Sequence, residues 1–297
     1  MALVTARAVS GRGKILVMNG GYHGAVFTFA GGGSPINAPF EFVLGTYNDS
    51  AATQAVIAEH GKNIAAILVE PMMGSTGCIP ADRDFLQMLR DEATRIGAWL
   101  IFDEVMTSRL SPGGLQAKHG IKPDLTSLGK YIGGGMSFGA FGGRADILDR
   151  YDPRRPDALP HAGTFNNNVL TMAAGYAGLT QVYTPAAASA LNARGDALRD
   201  RLNALCQAAG AKMQFTGIGS MLSVHFTRAA VRNPEAAGAA DQKLKELFFF
   251  DMLEKGIWIA RRGFFALCLP LGDAEYAKLE TAVAAFLATR QPLLAAD

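Results

Sequence analysis

Apolar residues recur along the first half of the chain in short unbroken runs, separated by stretches with helical spacing. Lys14 to Met18, Ile64 to Glu70 and Trp99 to Asp103 are such runs, and Phe85, Leu86, Leu89 and Ile96 fall at helical spacing between the last two. The alternation predicts β-α-β units. A strand in a parallel sheet is covered on both faces and so lacks polar alternation, as in Ala65 to Val69 and Trp99 to Phe102. The expected architecture is α/β, built on a mainly parallel sheet.

Beyond Asn168 the period changes. A helix-like stretch from Val169 to Val182 leads to Pro185, and a second amphipathic helix is expected from about Ala187 to Ala208. Met221 to Phe226 and Phe264 to Leu269 read as strands, Lys243 to Lys255 and Ala274 to Ala288 as helices, and Ala229 to Ala240 as a loop of polar and small residues. No internal repeat is apparent. The chain is thus expected to divide into a large domain over residues 1–182 and a smaller α+β domain over 183–297.

A length of 297 residues suits that division. Lys plus Arg (28) nearly balance Asp plus Glu (26), which argues against a surface for nucleic acid or an anionic membrane. No apolar run nears the roughly 18 residues of a membrane span, and no secretory signal is readable at the N-terminus. Cys78, Cys206 and Cys268 are odd in number and far apart, so neither a disulfide framework nor a thiolate metal site is supported. A cytoplasmic location is expected. The five histidines form no HxxxH or HExxH pair, and no GxSxG elbow occurs, so neither a metal site nor a serine hydrolase is expected.

In open α/β sheets the ligand site lies at the carboxyl ends of the strands. Two of the apolar runs end in acids, at Glu70-Pro71 and at Asp103-Glu104; either acid alone could equally be a helix cap or a solvated loop carboxylate. Lys130 stands in Leu128-Gly129-Lys130, followed by Gly133-Gly134-Gly135 and then Gly139, Gly142 and Gly143. These glycines imply tight backbone packing or sharp turns. They do not make a P-loop, because Asp124 stands where the upstream glycine should be and Tyr131 replaces the Ser or Thr; nor do they fit G-x-G-x-x-G. What remains is a strand-end Asp, a Lys in a glycine-rich turn and an aromatic in Gly21-Tyr22-His23-Gly24. This inventory suits pyridoxal phosphate: the lysine bonds its aldehyde, the carboxylate keeps its ring nitrogen protonated, and the aromatic stacks on its face.

With Gly21-Tyr22-His23-Gly24, Val69-Glu70-Pro71, Phe102-Asp103-Glu104-Val105-Met106-Thr107, Leu128-Gly129-Lys130, Gly133-Gly134-Gly135 and His161-Ala162-Gly163-Thr164-Phe165, the chain resembles the class III aminotransferases, pyridoxal-phosphate enzymes of fold type I. It is most similar to the branch holding glutamate-1-semialdehyde aminomutase and the β-amino-acid transaminases. Gly163 to Asn168 and Thr107 to Leu110 look closest to β-phenylalanine aminotransferase. The resemblance implies Lys130 as the catalytic lysine, Asp103 as partner of the ring nitrogen, Val105 and Tyr22 on the two ring faces with His23 close behind, and Thr164 on the cofactor phosphate across a homodimer interface.

The reaction so implied is transamination from an amino acid, a β-aryl β-amino acid such as β-phenylalanine being favoured, to a 2-oxo acid. Ser75 stands where ornithine and γ-aminobutyrate transaminases carry an acid, which disfavours ω-amino acids. A substrate carboxylate calls for a guanidinium, and Arg262 is the candidate, with Arg261 as its rival. Glutamate-1-semialdehyde aminomutase is the enzyme alternative, and an inactive remnant serving only dimerisation is the alternative of another class. The resemblance also implies a segment ahead of the position of Met1, with a Ser-Gly-Thr-Glu-Ala stretch that holds the cofactor phosphate at a helix N-terminus. Met1 to Ala8 resembles the interior of that helix, so the large domain is expected to be truncated, with weakened cofactor binding.

Overall fold

The apolar run Ile64–Val69 is buried along its whole length, and helices and strands are laid down around it. In the computed structural model, which describes residues 1–295, it is one strand of a six-stranded sheet. The strands are β1 (Lys14–Met18), β2 (Glu41–Gly45), β3 (Ile64–Val69), β4 (Trp99–Asp103), β5 (Leu125–Gly129) and β6 (Gly139–Gly143), in the order β2-β1-β3-β4-β5-β6. All neighbours pair in parallel except β6, which runs antiparallel to β5. The expected mainly parallel α/β sheet is therefore present. Because β1 has β2 on one side and β3 on the other, the sheet order reverses there, the place where such folds open a ligand crevice.

Helix Arg83–Ile96 covers the sheet with Phe85, Leu86, Leu89 and Ala93. It ends at Gly97 (φ +67), whose N–H bonds back to the carbonyls of Ala93 and Thr94, a left-handed cap that glycine adopts without strain. Asp124, just before β5, is 5% exposed. Its carboxylate accepts bonds from Leu100 N (2.8 Å), Arg90 Nη1 (2.8 Å) and Arg144 Nη1 (2.9 Å), tying this helix to β4 and to the end of β6. Asp124→Ala strands a buried backbone donor and unpairs two cations that can still reach water. A loss of about 2–3 kcal/mol is expected, read as a lower urea midpoint at unchanged slope; a wild-type midpoint would show that the hub contributes nothing.

The chain separates into two compact units, Met1–Pro71 with Asp82–Ala186, and Met72–Ala81 with the chain from Ala187 onward. The second unit holds β7 (Gln214–Ile218), β8 (Met221–His225) and β9 (Phe264–Ala266) as an antiparallel sheet in the order β9-β8-β7. Its core gathers the rings of Phe215, Phe226, Phe248, Phe265 and Phe286. The strand expected over Phe264 to Leu269 is confined to three residues, because Leu267 N turns to bond Ser220 O. The loop expected over Ala229 to Ala240 contains a helix, Pro234–Ala239: Pro234 opens it, and Asn233 caps it by accepting a bond from Ala236 N.

Within the second unit the Met72–Ala81 segment forms a small ribbon, Met72–Met73 against Ile79–Pro80. Its Gly77 carbonyl accepts bonds from Thr216 Oγ1 (2.7 Å) and His225 Nε2 (3.0 Å). A side chain at Gly77 (φ +121) would overlap the His225 ring. His225 is wholly buried, and burial pushes its pKa down to about 4, with the Lys245 charge adding to the shift and the Gly77 bond opposing it. A folded value below the unfolded one of about 6.5 means that this stability is present above pH 6.5 and lost as pH falls toward 4. The full loss is about 3 kcal/mol at 1.36 kcal/mol per unit. Urea unfolding at pH 7.5 and 4.5 should show most of it, and His225→Gln should flatten the difference; an unchanged pH dependence in that variant would disprove the assignment.

Candidate active site

Four adjacent strands, β1, β3, β4 and β5, deliver the candidate residues at their carboxyl ends. The Tyr22-His23 loop follows β1, Glu70 follows β3, Asp103 ends β4 and Lys130 follows β5. The register that pairs Val69 with Phe102 and Asp103 with Ser127 brings these ends level.

Asp103 is 8% exposed. Its Oδ2 lies 2.7 Å from His23 Nδ1, and its Oδ1 accepts a bond from Val105 N at 3.0 Å. The first bond holds the carboxylate against a buried imidazole, and the second turns the chain so that Val105 sits beside Gly129, where any Cβ would come within 3.3 Å of Val105 Cγ1. Burial alone would discharge His23. The Asp103 hydrogen bond and the charges of Asp103 and Glu70 outweigh it, so the His23 pKa is raised. Glu70 Oε1 in turn accepts Tyr22 N at 3.0 Å, and Tyr47 donates its hydroxyl to Glu70 O at 2.9 Å.

Lys130 is exposed and has φ +56, a left-handed conformation that costs a non-glycine residue of order 1 kcal/mol and that functional sites commonly retain. Two contacts fix the turn that follows. Tyr131 meets Tyr183 edge-on at 5.3 Å, and Tyr183 donates its hydroxyl to Arg109 O. Gly134 and Gly175 bring the glycine-rich turn and helix Val169–Ala177 backbone to backbone: a side chain on either would overlap a carbonyl, of Ala174 or Ile132 respectively. These glycines serve close packing.

Sequence reasoning did not single out Glu104. It is fully buried, and its carboxylate accepts bonds from Leu115 N (2.8 Å), Gln116 N (2.8 Å) and Thr107 Oγ1 (2.9 Å), fastening the loop beyond Asp103 to the helix Gly114–His119. Burial raises its pKa against these three bonds. Gly114 (φ +72) is needed there, since a Cβ would lie 2.6 Å from Glu104 Oε1. The signal lay in the Asp-Glu doublet and the Gly113-Gly114 pair.

The structure thus joins Tyr22, His23, Glu70, Asp103 and Val105 by direct bonds and sets Lys130 on the neighbouring strand end. Thr164 lies elsewhere, in an exposed turn of the 161–168 loop. Arg262 belongs to the second unit, exposed, with its guanidinium 5.1 Å over the Phe264 ring and no ion pair among the described residues. Arg261 pairs with Glu246, which leaves Arg262 the freer cation. A carboxylate held by an imidazole, an accessible amine one strand away, and aromatic and branched apolar side chains beside them fit the ring side of pyridoxal 5′-phosphate.

The family model described as Aminotransferase class-III matches residues 1–271. The chain is 55% identical, over 99% of its length and 68% of the other's, to a β-phenylalanine transaminase of Variovorax paradoxus. It is 39% identical to a glutamate-1-semialdehyde 2,1-aminomutase of Desulforamulus reducens, over 97% of this chain and 70% of that one. The crystal structure of a β-phenylalanine aminotransferase from Variovorax paradoxus superposes with a TM-score of 0.97 at 55% identity, covering 99% of this chain and 68% of that chain. No described helix is long and apolar enough to cross a membrane.

Proposed function

This chain belongs to the class III aminotransferases, whose cofactor is pyridoxal 5′-phosphate, and from that premise we propose that it moves the amino group of a β-amino acid, β-phenylalanine foremost, to a 2-oxo acid. The observation that carries the substrate class is the 55% identity to the β-phenylalanine transaminase across nearly the whole chain, against 39% for the aminomutase.

When bound, the cofactor supplies an aldehyde and a ring that withdraws electrons. The chain's own groups do the rest. Lys130 Nζ holds the aldehyde and serves as the base for the proton on the carbon that bears the substrate amine. Asp103, with His23 behind it, keeps a proton on the ring nitrogen, and Tyr22 and Val105 confine the ring faces. Arg262 grips the substrate carboxylate with its planar fork.

Thr164 presents its hydroxyl to a cofactor phosphate of a second copy, which makes the enzyme a homodimer. Apolar exposure in the segment that follows it supports this reading: Phe165 is 84% exposed, Val169 79% and Tyr176 71%. Cys78, Cys206 and Cys268 form no disulfide, in keeping with the cytoplasm.

The test is incubation with cofactor, β-phenylalanine and 2-oxoglutarate or pyruvate, followed by amino-acid analysis. Amino transfer to the oxo acid is expected. Conversion of glutamate 1-semialdehyde to 5-aminolevulinate without any acceptor, and no transfer from β-phenylalanine, would overturn the proposal in favour of the aminomutase.

A further inference from the structure

Asp103 and Lys130 have roles in the reaction proposed above; the buried acid at the end of β3 has none. Glu70 is 5% exposed and follows Val69 directly, so it stands at the carboxyl end of the strand next to β4. It touches the Tyr22-His23 loop through the 3.0 Å bond from Tyr22 N, and that loop carries His23, whose Nδ1 lies 2.7 Å from Asp103 Oδ2. The loop that bears the imidazole is thus bonded to carboxylates from two adjacent strands, with the Phe29 ring tilted against the imidazole at 6.2 Å. Asp103 and Glu70 are the charged groups that act on it, both negative.

We infer that Glu70 is a positioning residue, acting through His23 on Asp103: the Glu70 charge favours the doubly protonated His23 ring, and that imidazolium holds the Asp103 carboxylate in place through its Nδ1–H. The inference rests on the cofactor reading for its consequence, since a carboxylate held in place at Asp103 is what a protonated ring nitrogen requires. The argument is one of sign. A lone imidazolium in a buried site is disfavoured by desolvation, and one carboxylate offsets that cost. A second negative charge, at the end of the neighbouring strand, shifts the balance toward imidazolium. The raised His23 pKa agrees with this geometry.

The experiment is ¹⁵N NMR of the whole chain labelled at histidine, without cofactor, with the His23 signals assigned by their loss in His23→Gln. The wild-type midpoint should lie above 6.5, the ordinary imidazole value. Glu70→Gln keeps an oxygen for Tyr22 N and removes the charge, so the ratio of protonated to neutral His23 at pH 7 should fall about three- to tenfold. Glu70→Asp should restore most of it, which a purely structural role would not do. A wild-type midpoint at or below 6.5, or a midpoint unmoved by Glu70→Gln, overturns the relay, and the first of these needs no variant to fold. Borohydride labelling of Lys130 tests the cofactor reading separately. A chain that labels there but shows no shift loses the relay alone, whereas a shift without labelling keeps the relay and removes the cofactor reading.

Discussion

Replacing Lys130 by alanine is expected to lower kcat/KM for amino transfer by about 10⁴-fold or more. Two losses combine: the amine that holds the aldehyde carbon and the base that moves the proton, and the second alone accounts for about 10²–10⁴. The fold should survive, because Lys130 is exposed. Lys130→Gly should even raise stability by of order 1 kcal/mol, since it relieves the φ of +56. Added methylamine should restore part of the lost rate by acting as a free base. Activity within tenfold of wild type, in a variant that unfolds as wild type does, would place the chemistry on another residue.

Asp103→Asn is expected to cost about 10²–10³ in kcat/KM, the range found when one buried electrostatic partner of a reacting group is removed. The change is nearly isosteric, so the loss measures charge. It also has a pH signature in stability. His23 has a folded pKa above its unfolded value of about 6.5, so the pair's contribution is fully present below pH 6.5 and is lost as pH rises through the folded value. The stability difference between wild type and Asp103→Asn should therefore be larger at pH 6 than at pH 9. A difference that grows with pH would mean that His23 is neutral beside Asp103.

The elements legible in the chain were those with one dominant signal. β3 and β4 showed unbroken apolar runs because both faces are covered, and Asp103 stood out because it ends such a run. β5 and β6 did not show themselves: Leu-Thr-Ser-Leu-Gly is half polar, and Gly-Ala-Phe-Gly-Gly carries glycines because β6 passes so close to β5 that a side chain at Gly143 would overlap Asp124 O. β2 is an edge strand with partial burial, too weak a pattern to separate from loop. The place of Met72–Ala81 depends on Gly77 meeting residues 139 and 148 positions later, a contact that no local pattern encodes. In the site, residue types could be read singly, whereas the bond of Glu70 to the Tyr22-His23 loop and the fastening of Glu104 under its helix appear only when distant strand ends are set side by side.

The central claim is that Lys130 is the residue that takes up the cofactor. Borohydride reduction of the chain after incubation with pyridoxal 5′-phosphate, followed by peptide mass spectrometry, tests it most directly. The account predicts a pyridoxyl group on Lys130 that is absent from Lys130→Ala. Labelling spread over other lysines, or undiminished in that variant, would contradict it.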